Sequence, residues 1–138
     1  MGLGNRYRFL AGATAILVFL AGCADAPVCR TGLKQMTAAE FYFGLAIPGG
    51  GVVSESDWQR FVDEEITPRF PDGLTITDAS GQWKGVTGIV HERSKRLFVV
   101  LPDAASAAAK LEAVRAAYRT RFRQDSVLIV ETPVCGAF

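Results

Sequence analysis

Apolar and polar residues alternate or recur along this chain with periods that lay out its elements in order. Over residues 40–46, Phe41, Phe43 and Leu45 fall on one face and Tyr42, Gly44 and Ala46 on the other, the period of a strand. Pro48 and Gly49 to Gly51 then break regular structure. Ser54 followed by Asp57 opens a helix in the manner of a capping box, with Asp in place of Glu. Trp58, Phe61, Val62, Glu65 and Ile66 follow at helical spacing, and Pro68 and the turn at Pro71, Asp72 and Gly73 end it. A second strand starts at Leu74 and runs towards Trp83, with a bend expected at Ser80 and Gly81. Residues 84–94 read as a polar, glycine-containing excursion whose residues 89–92 extend a strand locally. Residues 96–101 are apolar on both faces, as in a central strand. Pro102 and Asp103 start a long helix with Asp103 as N-cap, and Ala107, Leu111, Val114, Tyr118 and Phe122 form its apolar stripe. Residues 126–131 give the last strand.

The order is β-α-β-β-α-β. It predicts an α+β, ferredoxin-like domain: a four-stranded antiparallel sheet with both helices on one face. In that arrangement the first and last strands are neighbours. A sheet whose strands are apolar on both sides, with helices over only one, leaves a second apolar face. Tyr42, Phe98 or Leu97, and Val127 or Leu128 are its candidates. The arm at 24–37, the excursion at 84–94 or a second copy of the domain would cover it.

Before the domain lies a different pattern. Residues 1–8 carry Arg6 and Arg8 and no acid, and residues 9–20 are apolar or small, too short a run to span a bilayer. That is the form of a secretory signal peptide. Leu20, Ala21, Gly22 and Cys23 match the lipobox of bacterial lipoproteins, which implies cleavage before Cys23 and acylation of its sulfur and new amino group. The expected divisions are a leader at 1–22, a lipidated linker at 23–37 and one domain at 38–138. Several acyl chains hold a protein stably on a membrane without spanning it. The expected address is the bacterial cell envelope, facing the periplasm. If the host is Gram-negative, Ala24 after the lipidated cysteine permits export to the outer membrane.

Composition narrows the rest. Of 138 residues, 49% are hydrophobic and 21% charged, which excludes both a disordered chain and a multispan membrane protein. The formal charge of +1 becomes −1 once Arg6 and Arg8 leave with the leader, so no basic field favours nucleic acid. Of three cysteines, the lipobox takes Cys23. Cys29 and Cys135 remain, an even pair in an oxidising compartment, and a structural disulfide is the natural reading. A metal pair or redox thiol is the alternative. The 106 positions between them, the single His and the lack of Cys-x-x-Cys speak against it. No metal or cofactor is expected.

At this point a resemblance enters. Phe41 to Leu45, Val53 and Ser54 with Asp57 and Trp58, the run from Thr67 to Thr75, and Gly81-Gln82-Trp83 resemble bacterial domain-of-unknown-function family 3574 over roughly residues 38–138. The run from Thr67 to Trp83 is its specific part. The resemblance implies a small secreted or lipid-anchored domain and supplies no catalytic residue.

Candidate chemistry is sparse, and no serine-hydrolase, zinc-protease or P-loop motif is present. His91 beside Glu92 has the makings of an acid-base pair, with a solvated loop as the plainer reading. Trp83, between Gly81 and Gly85, either closes the core at the sheet end, the default, or stacks on a ligand. Arg69, between Pro68 and Pro71, either binds an anion or pairs with Asp72 or Glu65. Arg115, Arg119, Arg121 and Arg123 suit a helix C-terminus, and a membrane-facing patch is the sharper alternative. The expectation is a non-enzymatic module that binds a small ligand, an envelope protein or a second copy, using Tyr42, Arg69, Trp83, His91 and Glu92. The rival is a small enzyme with a cavity near Trp83 and His91.

Overall fold

The computed structural model describes residues 28–138; the leader, Cys23 and the start of the linker lie outside the described residues. Its strands are β1 (Lys34–Gly44), β2 (Thr75–Lys84), β3 (Ile89–Leu101) and β4 (Leu128–Gly136). Its helices are α1 (Glu55–Phe61), continued by a π-helical turn (Val62–Ile66), and α2 (Ala104–Phe122). The sheet order is β2-β3-β1-β4, and every pair is antiparallel. This is the expected ferredoxin-like α+β arrangement.

Local chemistry places α1. The Asp57 backbone N–H donates to the Ser54 hydroxyl at 3.1 Å, and that hydroxyl donates to the Asp57 carboxylate at 2.6 Å. The wider turn that follows closes through a bond from the Thr67 N–H to the Val62 carbonyl at 2.9 Å. It keeps Phe61, Val62 and Ile66 all buried.

Both helices pack on one face of the sheet. Ala39, Phe41 and Phe43 of β1 and Leu97, Val99 and Leu101 of β3 meet Trp58, Phe61, Leu111, Val114 and Tyr118 in one core. At its centre the Phe43 ring lies 4.7 Å from Tyr118 and 5.3 Å from Trp58, in the tilted contacts aromatic rings prefer. Alternation then sends Leu97 and Val127 to the core. The opposite face takes Tyr42 and Phe98, and Leu128, 59% exposed.

Four expectations need correction. β1 begins at Lys34, inside the stretch expected to be linker, because Lys34 to Thr37 pair with Gly136 to Pro133. β4 runs on to Gly136, through Pro133, because β4 is an edge strand with a free side for a residue that lacks an N–H. β2 carries no break at Ser80 and Gly81, which pair with Arg93 and Glu92. The excursion is itself a β-ribbon. Residues 89–93 are the start of β3, joined to β2 by a tight turn in which the Gly85 N–H donates to the Gly88 carbonyl at 2.8 Å.

Cys29 and Cys135 are joined by a disulfide with Cα atoms 5.5 Å apart. It links the residues just before β1 to the end of β4.

Candidate functional site

The five residues singled out from the sequence lie in three separate places. Tyr42 stands on the helix-free face. Trp83, His91 and Glu92 are on the β2–β3 ribbon, and Arg69 is in the corner after the π turn.

The corner is self-contained. Arg69 Nη1 lies 2.9 Å from the Glu65 carboxylate and donates to the Glu65 carbonyl at 2.6 Å. Of its two expected partners, Glu65 is the one used.

The ribbon extends past the end of β1, whose last residue Gly44 pairs with Ser94. Trp83 is 54% exposed, so the core reading of this residue is overturned: alternation along β2 from Thr75, opposite Phe98, puts it on the side of the sheet away from the helices. Its indole N–H donates to Glu92 Oε2 at 3.3 Å, while Glu92 Oε1 accepts from the Ala46 N–H at 3.2 Å. Glu92 is thereby tied to the loop after β1. His91 pairs in register with Gln82, on the other side of the ribbon from Glu92. Ser80, Gly81, Gln82, His91, Glu92 and Arg93 border an open groove of about 310 Å³. It assembles no acid-base pair, because Glu92 is held elsewhere. The buried Tyr118 hydroxyl donates to the Gly44 carbonyl at 2.8 Å. Burial first, and the Glu92 charge second, push its ionisation well above the usual tyrosine value.

The helix-free face is the larger feature. Strand alternation places Glu40 and Tyr42 of β1, Arg96, Phe98 and Val100 of β3, and Leu128, Val130 and Val134 of β4 on it. Leu128 is 59% and Val130 44% exposed. Near the middle, Arg96 Nε and the Tyr42 hydroxyl each donate to Glu40 Oε2 at 2.8 Å, and the Arg96 guanidinium lies 5.9 Å from the Phe98 ring centroid. The hydrogen bond from Arg96, then that from Tyr42, hold the Glu40 carboxyl below its ordinary value against the effect of burial. Glu40 and Arg96 were not among the sequence candidates. Glu40 and Tyr42 share a face by alternation, but only the β1–β3 register brings Arg96 to them.

Met36 and Ala38 of β1 lie on this face too and are buried, so its exposed part is the stretch around Leu128 and Val130. Val28 is 95% exposed in the described part of the arm, and the excursion projects as a ribbon instead of folding back. Of the basic run on α2, Arg121 pairs with Glu64 at 2.8 Å and Arg115 with Glu112 at 2.6 Å. Arg119 and Arg123 have no partner among the described residues. No group of three or more His, Cys, Asp or Glu among the described residues is placed to hold a metal. No helix among them is long and apolar enough to cross a membrane.

Fold and face together define a small ferredoxin-like domain whose sheet exposes apolar side chains opposite the helices. The chain belongs to the family described as "Protein of unknown function (DUF3574)", which matches residues 38–138. The comparison with curated proteins gives no match. Among solved structures it is similar to a phage SAM lyase in complex with S-methyl-5'-thioadenosine, at 14% identity and a TM-score of 0.58, covering 75% of this chain and 90% of that one. The apo state of a phage SAM lyase gives 17% identity and a TM-score of 0.58, covering 81% and 92%. CutA from Synechococcus elongatus PCC7942 gives 10% identity and a TM-score of 0.49, covering 74% and 80%. At these identities the likeness shows the fold alone.

Proposed function

We propose that this protein is a lipid-anchored protein of the bacterial cell envelope that works by binding, not catalysis, through the helix-free face of its sheet. One observation carries the reading. Leu128 and Val130 stay exposed beside the half-buried Tyr42 and Phe98 on the face opposite the helices. A contiguous apolar surface of this kind on a small domain marks an interaction site. The lipobox at residues 20–23 supports the address. The enzymatic rival needs Tyr42, Arg69, His91 and Glu92 around one cavity, and they occupy three separate places.

Photocrosslinking in living cells tests this. Benzoylphenylalanine replaces Leu128 on the face or, as a control, the exposed Ala108 on α2. Adducts at position 128 and none at 108 are expected. No adduct at 128, or equal adducts at both positions, would overturn the reading.

A further inference from the structure

We propose that the partner seated on this face is a second copy of the same chain, packed sheet to sheet. The inference rests on the reading of the face as a binding surface and names its occupant.

Three observations favour a second copy. The first is reach. Cleavage at the lipobox leaves only residues 23–27 before the described chain, and five residues extend at most about 17 Å. Their far end would be held in the membrane. Their near end enters the fold at Cys29, pinned to Cys135. They have no length to lie along a face of about 30 Å. Residues 23–27 are therefore not the cover of the face's exposed part at Leu128 and Val130, at the other end of β4 from Cys135.

The second is charge. The two charges near the middle of the face, Glu40 and Arg96, already neutralise each other at 2.8 Å, and Tyr42 adds its hydrogen bond. Around them stand Phe98, Val100, Leu128, Val130 and Val134. Lys34 stands at the rim by alternation and is exposed. A partner selected by charge needs unpaired charges to read, and the centre offers none. An identical face brings the same neutral, apolar centre, so pressing two together buries no uncompensated ion.

The third is area and geometry. Outside the ribbon the four strands are staggered, with Thr75 of β2 level with Glu40 of β1 and Gly136 of β4 level with Lys34; about 33 residues at ~4.8 Å between strands and ~3.3 Å along them give a face of roughly 520 Å². Two such faces bury about 1,000 Å², the small end of specific interfaces. Sheets that pack face to face keep their strands nearly aligned, ~30° apart. A two-fold axis along the strands puts both disulfide ends, and so both tethers, on the same side. Two copies anchored in one membrane then meet without twisting either anchor. Confinement to that membrane raises their effective concentration and supplements a modest interface.

The test uses the full chain with its own leader, extracted in mild detergent. Sedimentation and native mass spectrometry are expected to give a dimer. The variant carrying Leu128→Arg and Val130→Arg is expected to be monomeric, with an unchanged melting curve. Val52→Arg and Val86→Arg, 65% and 106% exposed at sites off the face, are expected to leave the dimer intact. Should the double variant fail to fold, the crosslink from position 128 in the otherwise native chain decides: a product of two chain masses is expected. A monomeric wild type, or a dimer broken only by the Val52 or Val86 variant, overturns the proposal. A monomer that crosslinks from position 128 to a different protein overturns the second copy and keeps the face as a binding surface. A monomer with no crosslink overturns both.

Discussion

Gly44 ends β1 against the carboxylate of Glu92, which occupies the space a Cβ would take. That carboxylate is not idle there. It holds the Ala46 N–H and the Trp83 indole, and so ties the ribbon to the loop after β1. Gly44→Ala is expected to push Glu92 aside and lose both bonds, at about 1–2 kcal/mol in urea unfolding. In a Glu92→Ala background the same change is expected to be neutral or slightly stabilising, since strand glycine is itself costly. Additive effects of the two substitutions would refute the contact. Lys95 is a second residue-scale device. It is buried on the helix side of β3 and reaches Glu55 at 2.7 Å and Asp78 at 2.8 Å. Burial alone would lower its pKa; the hydrogen bonds it donates to Asp78 and Glu55 together outweigh that and raise it. Those from Lys95 hold Asp78 below its ordinary value. A carboxyl lowered in the folded state stabilises above its unfolded pKa of about 4 and loses that contribution as pH falls through the folded value. The urea midpoint is expected to drop in that acid window, and Asp78→Asn to make the drop shallower. An unchanged acid profile would remove Asp78 from the account.

Among the elements, β4 depends most on a distant part of the chain. It pairs only with β1, and its last residues lie beside the start of that strand. The disulfide from Cys29 to Cys135 closes that corner and shortens the unfolded chain's freedom over 106 positions. Cys29→Ser is expected to lower stability by about 2–5 kcal/mol. Amide exchange is expected to rise first at residues 34–37 and 132–136. A melting curve identical to wild type would show that pairing alone holds the corner. The β2–β3 ribbon is the other exposed element. Two strands alone are marginal in water. Beyond the continuous pairing of β3 with β1, the Leu45 N–H bond to the Arg93 carbonyl at 3.0 Å and the Ala46 N–H bond to Glu92 attach the base of this pair to the body.

For the whole molecule, the disulfide and the ribbon tip lie at opposite ends of the sheet, because β1 starts at one end and β3 begins beyond the other. The proposed lipidation at Cys23 precedes the disulfide-closed fold in the chain, so attachment and folding separate experimentally. Cys23→Ser is expected to move the protein to the soluble envelope fraction and abolish fatty-acid labelling, with the melting curve unchanged. Retained labelling would refute lipidation at Cys23.

By itself the sequence determined the order of elements, the Ser54 cap, the disulfide partners and the two aromatic faces of β1. Each of these is written in local spacing or in a count. The tertiary structure alone decided which of Leu97 and Phe98, and of Val127 and Leu128, meets solvent. A strand apolar on both sides has no preferred face until its register is fixed, and a slip of one residue exchanges them. That register is set by packing against both helices and by pairing with distant strands. The pairing of Glu40 with Arg96 and the seat of Glu92 against Gly44 were illegible for the same reason. They join residues some fifty positions apart, which only the closed sheet brings within reach.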